Sequence, residues 1–237
     1  MKQFRFGILG AGGIAHKFCN AIGKVDDACV AAVASKDQKR AWRFAKRHGI
    51  EDFYSDYEHL LAREDIDAIY IATTHNFHYE NIIACLEHNK PVLCEKSMVP
   101  TAAQAQEIFS LAKEKKLFVM EAMWSRFLPH INQARQWIKE GRIGNLEAAT
   151  CTIGFSASRD PAHRINNPEL GGGAAYDIGV YAIELTTYLI DEPVIDVQSM
   201  LTRSETGVDK TDSILLRFPS CTANLQATTA ATVREEL

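Results

Sequence analysis

Five apolar runs in the first half of the chain leave few folds open to it. FRFGILG (4–10), CVAAVAS (29–35), DAIYIAT (67–73), KPVLCEK (90–96) and LFVMEAM (117–123) are each short and mostly apolar. Helical patterns separate them: IAHKFCNAIG (14–23), QKRAWRFAKRHG (38–49) with Gly49 as its stop, and FHYENIIACLEHN (77–89). A further helix near 102–116 opens on Thr101 and Gln104, the two residues of a capping box. Strands that alternate with helices build βαβ units and a parallel sheet. Such a sheet is covered on both faces, so its strands are apolar throughout instead of apolar at every second residue.

After residue 123 the pattern changes. A helix near 130–140 ends at EGRIGN, and a long strand, LEAATCTIGF, covers 146–155. The stretch 156–173 is loop-like, and a helix fits 174–190. IDVQSMLTR (195–203), DSILLRF (212–218) and TANLQATTAATV (222–233) then follow as strands with no helix between them. The chain therefore divides into an α/β domain at 1–122 and an α+β domain with a mostly antiparallel sheet at 123–237.

Composition removes several classes of function. The net charge is −4 and no basic stripe is present, so nucleic acid has no electrostatic footprint to bind. No apolar run approaches the ~18 residues of a membrane span. The N-terminal MKQFRFGILGAGGIA has no cleavable signal pattern. The six cysteines are scattered without a CxxC pair, which argues against zinc and dithiol chemistry and suits a reducing cytoplasm.

The first apolar run ends in GILGAGGIA, where Gly10, Gly12 and Ala15 fit G-x-G-x-x-A. The motif closes a strand and opens a helix, as a dinucleotide-binding turn requires. Gly10, Gly12, Gly13 and Ile14 would line the pyrophosphate, whose charge the helix N-terminus favours. NAD binders place a carboxylate at the end of the second strand, against the ribose. Here that strand ends Ala34-Ser35-Lys36, with Asp37 one or two residues late. Ser35, Lys36 and Arg40 suit a 2′-phosphate, so NADP is expected, with NAD as the second option. A solvated helix start would have the same residues.

Two further segments are ambiguous by themselves. Glu95 and Lys96 follow the run PVLC, at the strand edge where ligands bind in open parallel sheets. An exposed charged pair is the simpler reading of that segment alone. In GGGAAYDIGVYA (171–182), Asp177 and Tyr181 lie at i and i+4, on one face of a helix that starts near Ala174. Asp177 would sit in the first turn, where the helix dipole favours a carboxylate. Equally, Asp177 could serve only to start the helix, and Tyr181 to fill the core.

Taken together, GAGGIA, IATTHNFHYE, CEK, EAMWSRF and NNPELGGGAAYDIGVY run in the order found in the Gfo/Idh/MocA oxidoreductases, and the chain resembles that family over essentially its whole length. EAMWSRF and the Tyr of DIGVY are most similar to the dimeric dihydrodiol dehydrogenase, or D-xylose dehydrogenase, subgroup. The resemblance implies an N-terminal Rossmann domain with a doubly wound parallel sheet and a C-terminal domain on an open, mostly antiparallel sheet. It also implies hydride transfer between NADP and a sugar, dicarbonyl or diol.

By the same resemblance Lys96 is the lysine of an EKP motif, Asp177 the aspartate of D-x-G-x-H/Y, and Tyr181 the proton donor at its last position. A free tyrosine has a pKa near ~10, and a lysine beside it would lower that value. Thr73, Thr74, His75, Asn76 and His78 form the loop that passes the cofactor, with Thr74 where many members have Pro. Glu95, Trp124 and Arg126 are expected on the cofactor or substrate side, against a core role for Trp124. His163 and Arg164 are candidates for a polar substrate. His75 and His78 have no Cys or Asp at metal spacing, so no metal is expected.

Family members continue past the position of Val233, which makes the second domain look truncated and leaves 222–233 with a free sheet edge. A homodimer through the open sheet face is implied where that sheet is complete. A non-catalytic NAD(P)-binding regulator and a truncated inactive paralogue are the competing readings.

Overall fold

The computed structural model describes residues 3–234. It forms two compact units that meet in sequence between Ala122 and Met123.

The first unit is a six-stranded sheet in which every pairing is parallel. Its strands are β1 (Phe4–Leu9), β2 (Ala28–Ala34), β3 (Asp52–Tyr54), β4 (Ala68–Ile71), β5 (Val92–Cys94) and β6 (Val119–Glu121), in the order β3-β2-β1-β4-β5-β6. The chain reverses direction across the sheet between β1 and β4, which is the doubly wound arrangement. Its helices are α1 (Gly13–Ile22), α2 (Gln38–His48), α3 (Tyr57–Leu61), α4 (His78–Glu87) and α5 (Ala102–Lys115).

Alternate residues of each strand supply two separate cores. Ile8, Val33 and Tyr70 pack with Ala15 and Cys19 of α1 and with Phe44 and Ala45 of α2. Leu9, Ala34, Ile69, Ile71, Val92 and Cys94 pack on the other face with Leu60, Ile82, Leu86 and Ile108. Each fully buried Leu or Ile contributes about 1.5–3 kcal/mol. The six cysteines are free and all except Cys29 are buried. Burial pushes the Cys19 thiol up to about 11 and the Cys94 thiol well above its ordinary value, so these groups pack as small hydrophobes.

Helix ends follow the local chemistry. Gly49 ends α2 at φ 66°, and Thr101 caps α5 by accepting from the Gln104 amide at 3.3 Å. Sequence patterning missed β3 and α3, because three half-buried residues and a five-residue helix are too short to show a period.

The second unit has α6 (Pro129–Lys139), β7 (Ala148–Gly154), α7 (Val180–Ile190), β8 (Asp196–Arg203), β9 (Asp209–Arg217) and β10 (Thr222–Thr228). The sheet order is β7-β10-β9-β8, with β10 parallel to β7 and antiparallel to β9. The strand expected over 222–233 ends at Thr228 and lies inside the sheet, paired on both sides. The free-edge expectation is thus corrected: the edges are β7 and β8. The apolar residues of β10 (Ala223, Leu225 and Ala227) share a face with Cys151 and Leu216. The opposite face carries Thr150, Asn224, Leu215 and Gln198 in one row, and Thr152, Gln226, Ser213 and Met200 in the next. No helix among the described residues is long and apolar enough to cross a membrane.

A histidine pair joins α1 to α2 in the first unit. His16 Nδ1 and His48 Nε2 are 2.6 Å apart, and the His16 ring packs on Phe44 at 4.5 Å between centroids. One ring must accept, so at least one is neutral. Burial, then the charge of Arg47, lowers His16; burial, then His16 and Arg47, lowers His48. With both folded values below the unfolded one of about 6.5, the unfolded chain binds more protons as pH falls through that value. The first unit is expected to lose stability as pH falls from about 7 to about 5, and His48→Gln should flatten the loss. Urea unfolding midpoints across that range are the check.

Candidate functional site

The carboxyl edge of the first sheet gathers most of the residues singled out from sequence. Gly10 follows β1 at φ 97°, with its Cα so close to the β4 chain that a Cβ would lie 2.8 Å from the Ala72 carbonyl oxygen. Glycine is required there both for its φ and for the space. A Cβ on Gly13 would meet nothing within 4 Å, so the turn faces open space. The Gly13–Ile22 helix starts on Gly12 with no capping side chain, whereas α2, α3 and α5 are capped by Asp37, Asp56 and Thr101. Uncapped amides at a helix N-terminus form an anion site. Ile14 is exposed beside them.

Past the end of β2, Ser35 is buried and its Oγ accepts from the Asp37 amide at 3.4 Å. Asp37 is committed to the helix: its carboxylate accepts from the Arg40 amide at 3.1 Å, which holds it below its ordinary value. Lys36 is exposed, with its ammonium 5.2 Å from the Phe77 ring centroid and 5.9 Å from that of Tyr57. Arg40 lies 4.0 Å from the Asp37 carboxylate. The end of the second strand therefore presents a cation, and its nearest carboxylate is engaged in capping.

The loop after β4 holds Thr73, Thr74, His75 and Asn76, and continues into a 3₁₀ turn, His75–Phe77. Thr73 Oγ1 accepts from Asn81 Nδ2 at 3.1 Å, and Thr74 Oγ1 donates to Asn76 Oδ1 at 2.8 Å. His78 is a correction. It is 0% exposed, and its nitrogens lie 3.1 Å from the Thr73 carbonyl and 2.9 Å from the Ser97 carbonyl. A side chain with no exposed atom cannot touch a cofactor; His78 ties the β4 loop to the segment after β5. Burial lowers its pKa against the pull of those carbonyls.

Glu95 and Lys96 follow β5. Glu95 is turned inward, where its carboxylate accepts from the Tyr70 hydroxyl. Burial raises the carboxyl above its ordinary value, partly offset by that hydrogen bond. Tyr70 itself is raised by burial and by the Glu95 charge. Lys96 is half-buried at the same strand end. Tyr70 escaped sequence reasoning because an apolar strand gives no sign of a hydroxyl partner.

In the second unit Asp177 does not start an α-helix. Residues Ala175–Gly179 form a π-helical turn, and α7 begins only at Val180. The i, i+4 geometry of an unbroken helix is thereby replaced by a widened turn of a kind often found at functional sites. Gly179 lies against β10, where a Cβ would be 3.4 Å from that of Ala227. Asp177 is buried, and Arg164 Nη1 donates to its carboxylate at 3.0 Å. Arg164 is thus held by Asp177, while His163 Nδ1 accepts from the Ile165 amide at 3.4 Å and opens the 3₁₀ turn Arg164–Asn166.

Tyr181 is half-buried on α7. Its oxygen accepts from Trp124 Nε1 at 2.8 Å, with the rings edge-on at 6.0 Å between centroids. Trp124 is exposed, so it is not a core residue. Its 3₁₀ turn, Trp124–Phe127, is anchored by Glu184, a buried carboxylate that accepts from Ser125 Oγ at 3.0 Å and from Arg126 Nε. Arg126 also lies over the Tyr188 ring, 4.8 Å from its centroid. Glu184 was missed because only the fold brings residue 184 to residues 125 and 126. Among the described residues no three His, Cys, Asp or Glu side chains are grouped to hold a metal.

Comparison with known proteins shows the family. Residues 4–123 match the model of an oxidoreductase family with an NAD-binding Rossmann fold, and residues 131–237 match the Gfo/Idh/MocA C-terminal domain. The chain is 35% identical over 217 residues to a trans-1,2-dihydrobenzene-1,2-diol dehydrogenase of Xenopus tropicalis, covering 90% of this chain and 65% of the relative. It is 36% identical over 242 residues to an NADP(+)-dependent D-xylose 1-dehydrogenase of Hypocrea jecorina, covering 91% and 62%. This chain thus spans a little under two thirds of the length of these relatives. Among solved structures, a 3-ketoreductase of Actinomadura kijaniata in complex with NADP and TDP-benzene superposes with a TM-score of 0.88 at 28% identity, over 98% of this chain and 72% of that one. An aldose-aldose oxidoreductase of Caulobacter crescentus gives 0.90 at 23%, which speaks for the fold alone. With both of its halves matched by the models of a single family, the chain belongs to the Gfo/Idh/MocA oxidoreductases.

Proposed function

We propose that the chain carries the cofactor and proton-transfer machinery of an NADP-dependent oxidoreductase acting on a sugar, a dicarbonyl or a diol. The observation that carries the cofactor assignment is the uncapped N-terminus of α1 beneath Gly10, Gly12 and Gly13. It leaves helix amides for a pyrophosphate, as the family fold requires. Preference for NADP rests on Ser35, Lys36 and Arg40 at the end of β2 and on the engagement of Asp37 with α2. Thr73, Thr74, His75 and Asn76 continue the same edge. The dihydrodiol and D-xylose dehydrogenase relatives support the substrate class.

A bound nicotinamide cofactor supplies or accepts the hydride. The chain's own contribution is control of charge and proton. In the reductive direction Tyr181 gives its phenol proton to the oxygen that becomes an alkoxide. Because its oxygen accepts from Trp124, the phenol keeps its own hydrogen as a donor. Lys96 polarises the carbonyl oxygen with its ammonium, a charge stabilisation that grows along the reaction. Asp177, fixed by Arg164, orients the substrate hydroxyl. In oxidation the proton moves back to Tyr181. The buried cysteine thiols fit a cytoplasmic setting, and pairing of two copies through the open face of the second sheet is the proposed assembly.

Two outcomes are expected. Lys36→Glu weakens NADPH binding by about tenfold or more, through loss of a charge-assisted contact, and leaves NADH binding within about twofold. Fluorescence titration of each cofactor checks this, and equal weakening of both would remove Lys36 from the phosphate site. Tyr181→Phe lowers turnover by roughly 10²-fold or more at unchanged cofactor affinity. Steady-state rates on sugars and dicarbonyls, read beside the titration, check the assignment, and wild-type turnover in that variant would sink it. Turnover of any of these substrates also separates the enzyme from a cofactor-binding regulator.

A further inference from the structure

Lys36 is exposed at the end of β2, yet its ammonium has a defined place. It lies 5.2 Å from the centroid of the Phe77 ring and 5.9 Å from that of Tyr57. Both distances are within the reach of a cation–π contact, in which the negative face of a ring attracts the charge. Among the described residues no carboxylate pairs with Lys36, and Asp37 beside it faces Arg40. Lys46 also lies over a ring, 5.1 Å from the centroid of Trp42, but those two residues are one turn apart on α2 and meet through helix spacing alone. Lys36 has no such local cause. Phe77 comes from the loop after β4, and Tyr57 is the first residue of α3.

All three residues stand on fixed backbone. The Ser35 amide donates to the Tyr54 carbonyl at 3.0 Å, which ties the chain before Lys36 to the end of β3. Asp56 caps α3 by accepting from the Glu58 amide at 2.9 Å, and Tyr57 packs against the core that holds Leu9, Ala34 and Leu60. The Phe77 amide donates to the Thr74 carbonyl at 3.0 Å, and the next residue, His78, is locked between the Thr73 and Ser97 carbonyls. Burial raises the Tyr57 phenol above its ordinary value, against the charge of Arg40, so that ring is neutral near pH 7. The two rings are thus a seat, and the Lys36 side chain is the flexible part.

We propose that Phe77 and Tyr57 are specificity-determining positioning residues, whose ring faces seat the Lys36 ammonium where it meets the 2′-phosphate of NADP. A lysine is a point charge on a flexible four-carbon stem, and gripping an anion costs it that freedom. A seated ammonium has given up part of the freedom beforehand, so more of its attraction appears as affinity. The rings cover part of the side chain, and its exposure leaves the rest open to an anion. Only NADP gains, because NAD has a hydroxyl at that position and offers the charge nothing to neutralise. This role rests on the assignment of Lys36 to the 2′-phosphate made above, whereas the seat itself does not.

Two readouts on the full chain test this. In NMR spectra recorded without cofactor, the ε-methylene protons of Lys36 should lie upfield of those of other exposed lysines, because they sit over ring faces. Phe77→Leu should move them back toward the common position. In fluorescence titrations, Phe77→Leu and Tyr57→Leu should each weaken NADPH binding about two- to fivefold and leave NADH binding unchanged. Phe77→Tyr keeps a ring face and should keep wild-type affinity for both cofactors. In a Lys36→Met background, Phe77→Leu should have no further effect on NADPH, because the charge it serves is gone.

Lys36 protons at the common position in the wild-type chain would overturn the seat. Equal weakening of NADPH and NADH by Phe77→Leu, or an undiminished effect in the Lys36→Met background, would mean that the ring touches the cofactor itself, and would also overturn it. If Lys36→Met loses the preference for NADPH while both leucine variants keep it, the seat fails and the phosphate assignment stands. If Lys36→Met keeps that preference, or the wild-type chain has none, the assignment fails and the proposed role of the rings fails with it.

Discussion

The first sheet must be covered on both faces at once, and most of this structure follows from that demand. Strands buried on two sides are apolar at successive residues, so Ile8 and Leu9 enter different cores. Covering both faces takes helices on both, and parallel strands return through them. Every strand then ends at the same edge, and the turns after β1, β2, β4 and β5 come together there. Gly10, Ser35, Thr73 and Lys96 are far apart in sequence and meet as a class only because all four follow strand ends. The close approach of Gly10 to Ala72 marks the crossing point of the winding, where two neighbouring strands send their chains in opposite directions.

The second unit works under a weaker constraint. Its sheet is packed on one face only, so the strands alternate, and the other face is free to be polar. Precision there comes from polar anchors in place of a two-sided core. Glu184 fixes the Trp124–Phe127 turn, Trp124 reaches Tyr181, and Arg164 reaches Asp177. The widened turn at Ala175–Gly179 is the local cost of bringing Gly179 against Ala227 while keeping Asp177 near Arg164.

What could be read from sequence was whatever repeats or caps locally. The five apolar runs, the Gly49 stop and the Thr101 cap all depend on neighbours within a few residues, and all are present. The glycine-rich turn was legible because strand, turn and helix are contiguous. The strand read over 222–233 is present as far as Thr228, but its place inside the sheet depends on pairing with residues seventy-four positions earlier, which no local pattern encodes. The same holds for the partners that give the site its geometry. Tyr70 holds Glu95, His78 bridges Thr73 and Ser97, and Asp209 supports Ala175, each across the fold. The family resemblance grouped His78 with His75 and Asn76 in the cofactor loop; two positions past Asn76, the first turn of α4 carries it inside.

The parallel contact between β7 and β10 carries a consequence for how the molecule is made. A ribosome delivers β7 first among the strands of the second sheet and β10 last of those described. β8, β9 and β10 can zip up in order as successive hairpins, but β7 has no partner until its far neighbour emerges. The first unit, with its local crossovers, is complete on the growing chain well before then. For that interval the apolar side chains of β7 have only α6 and α7 to lie against. The moment of greatest exposure to chaperones, and to stray pairing with other chains, therefore falls late in synthesis and on this one strand.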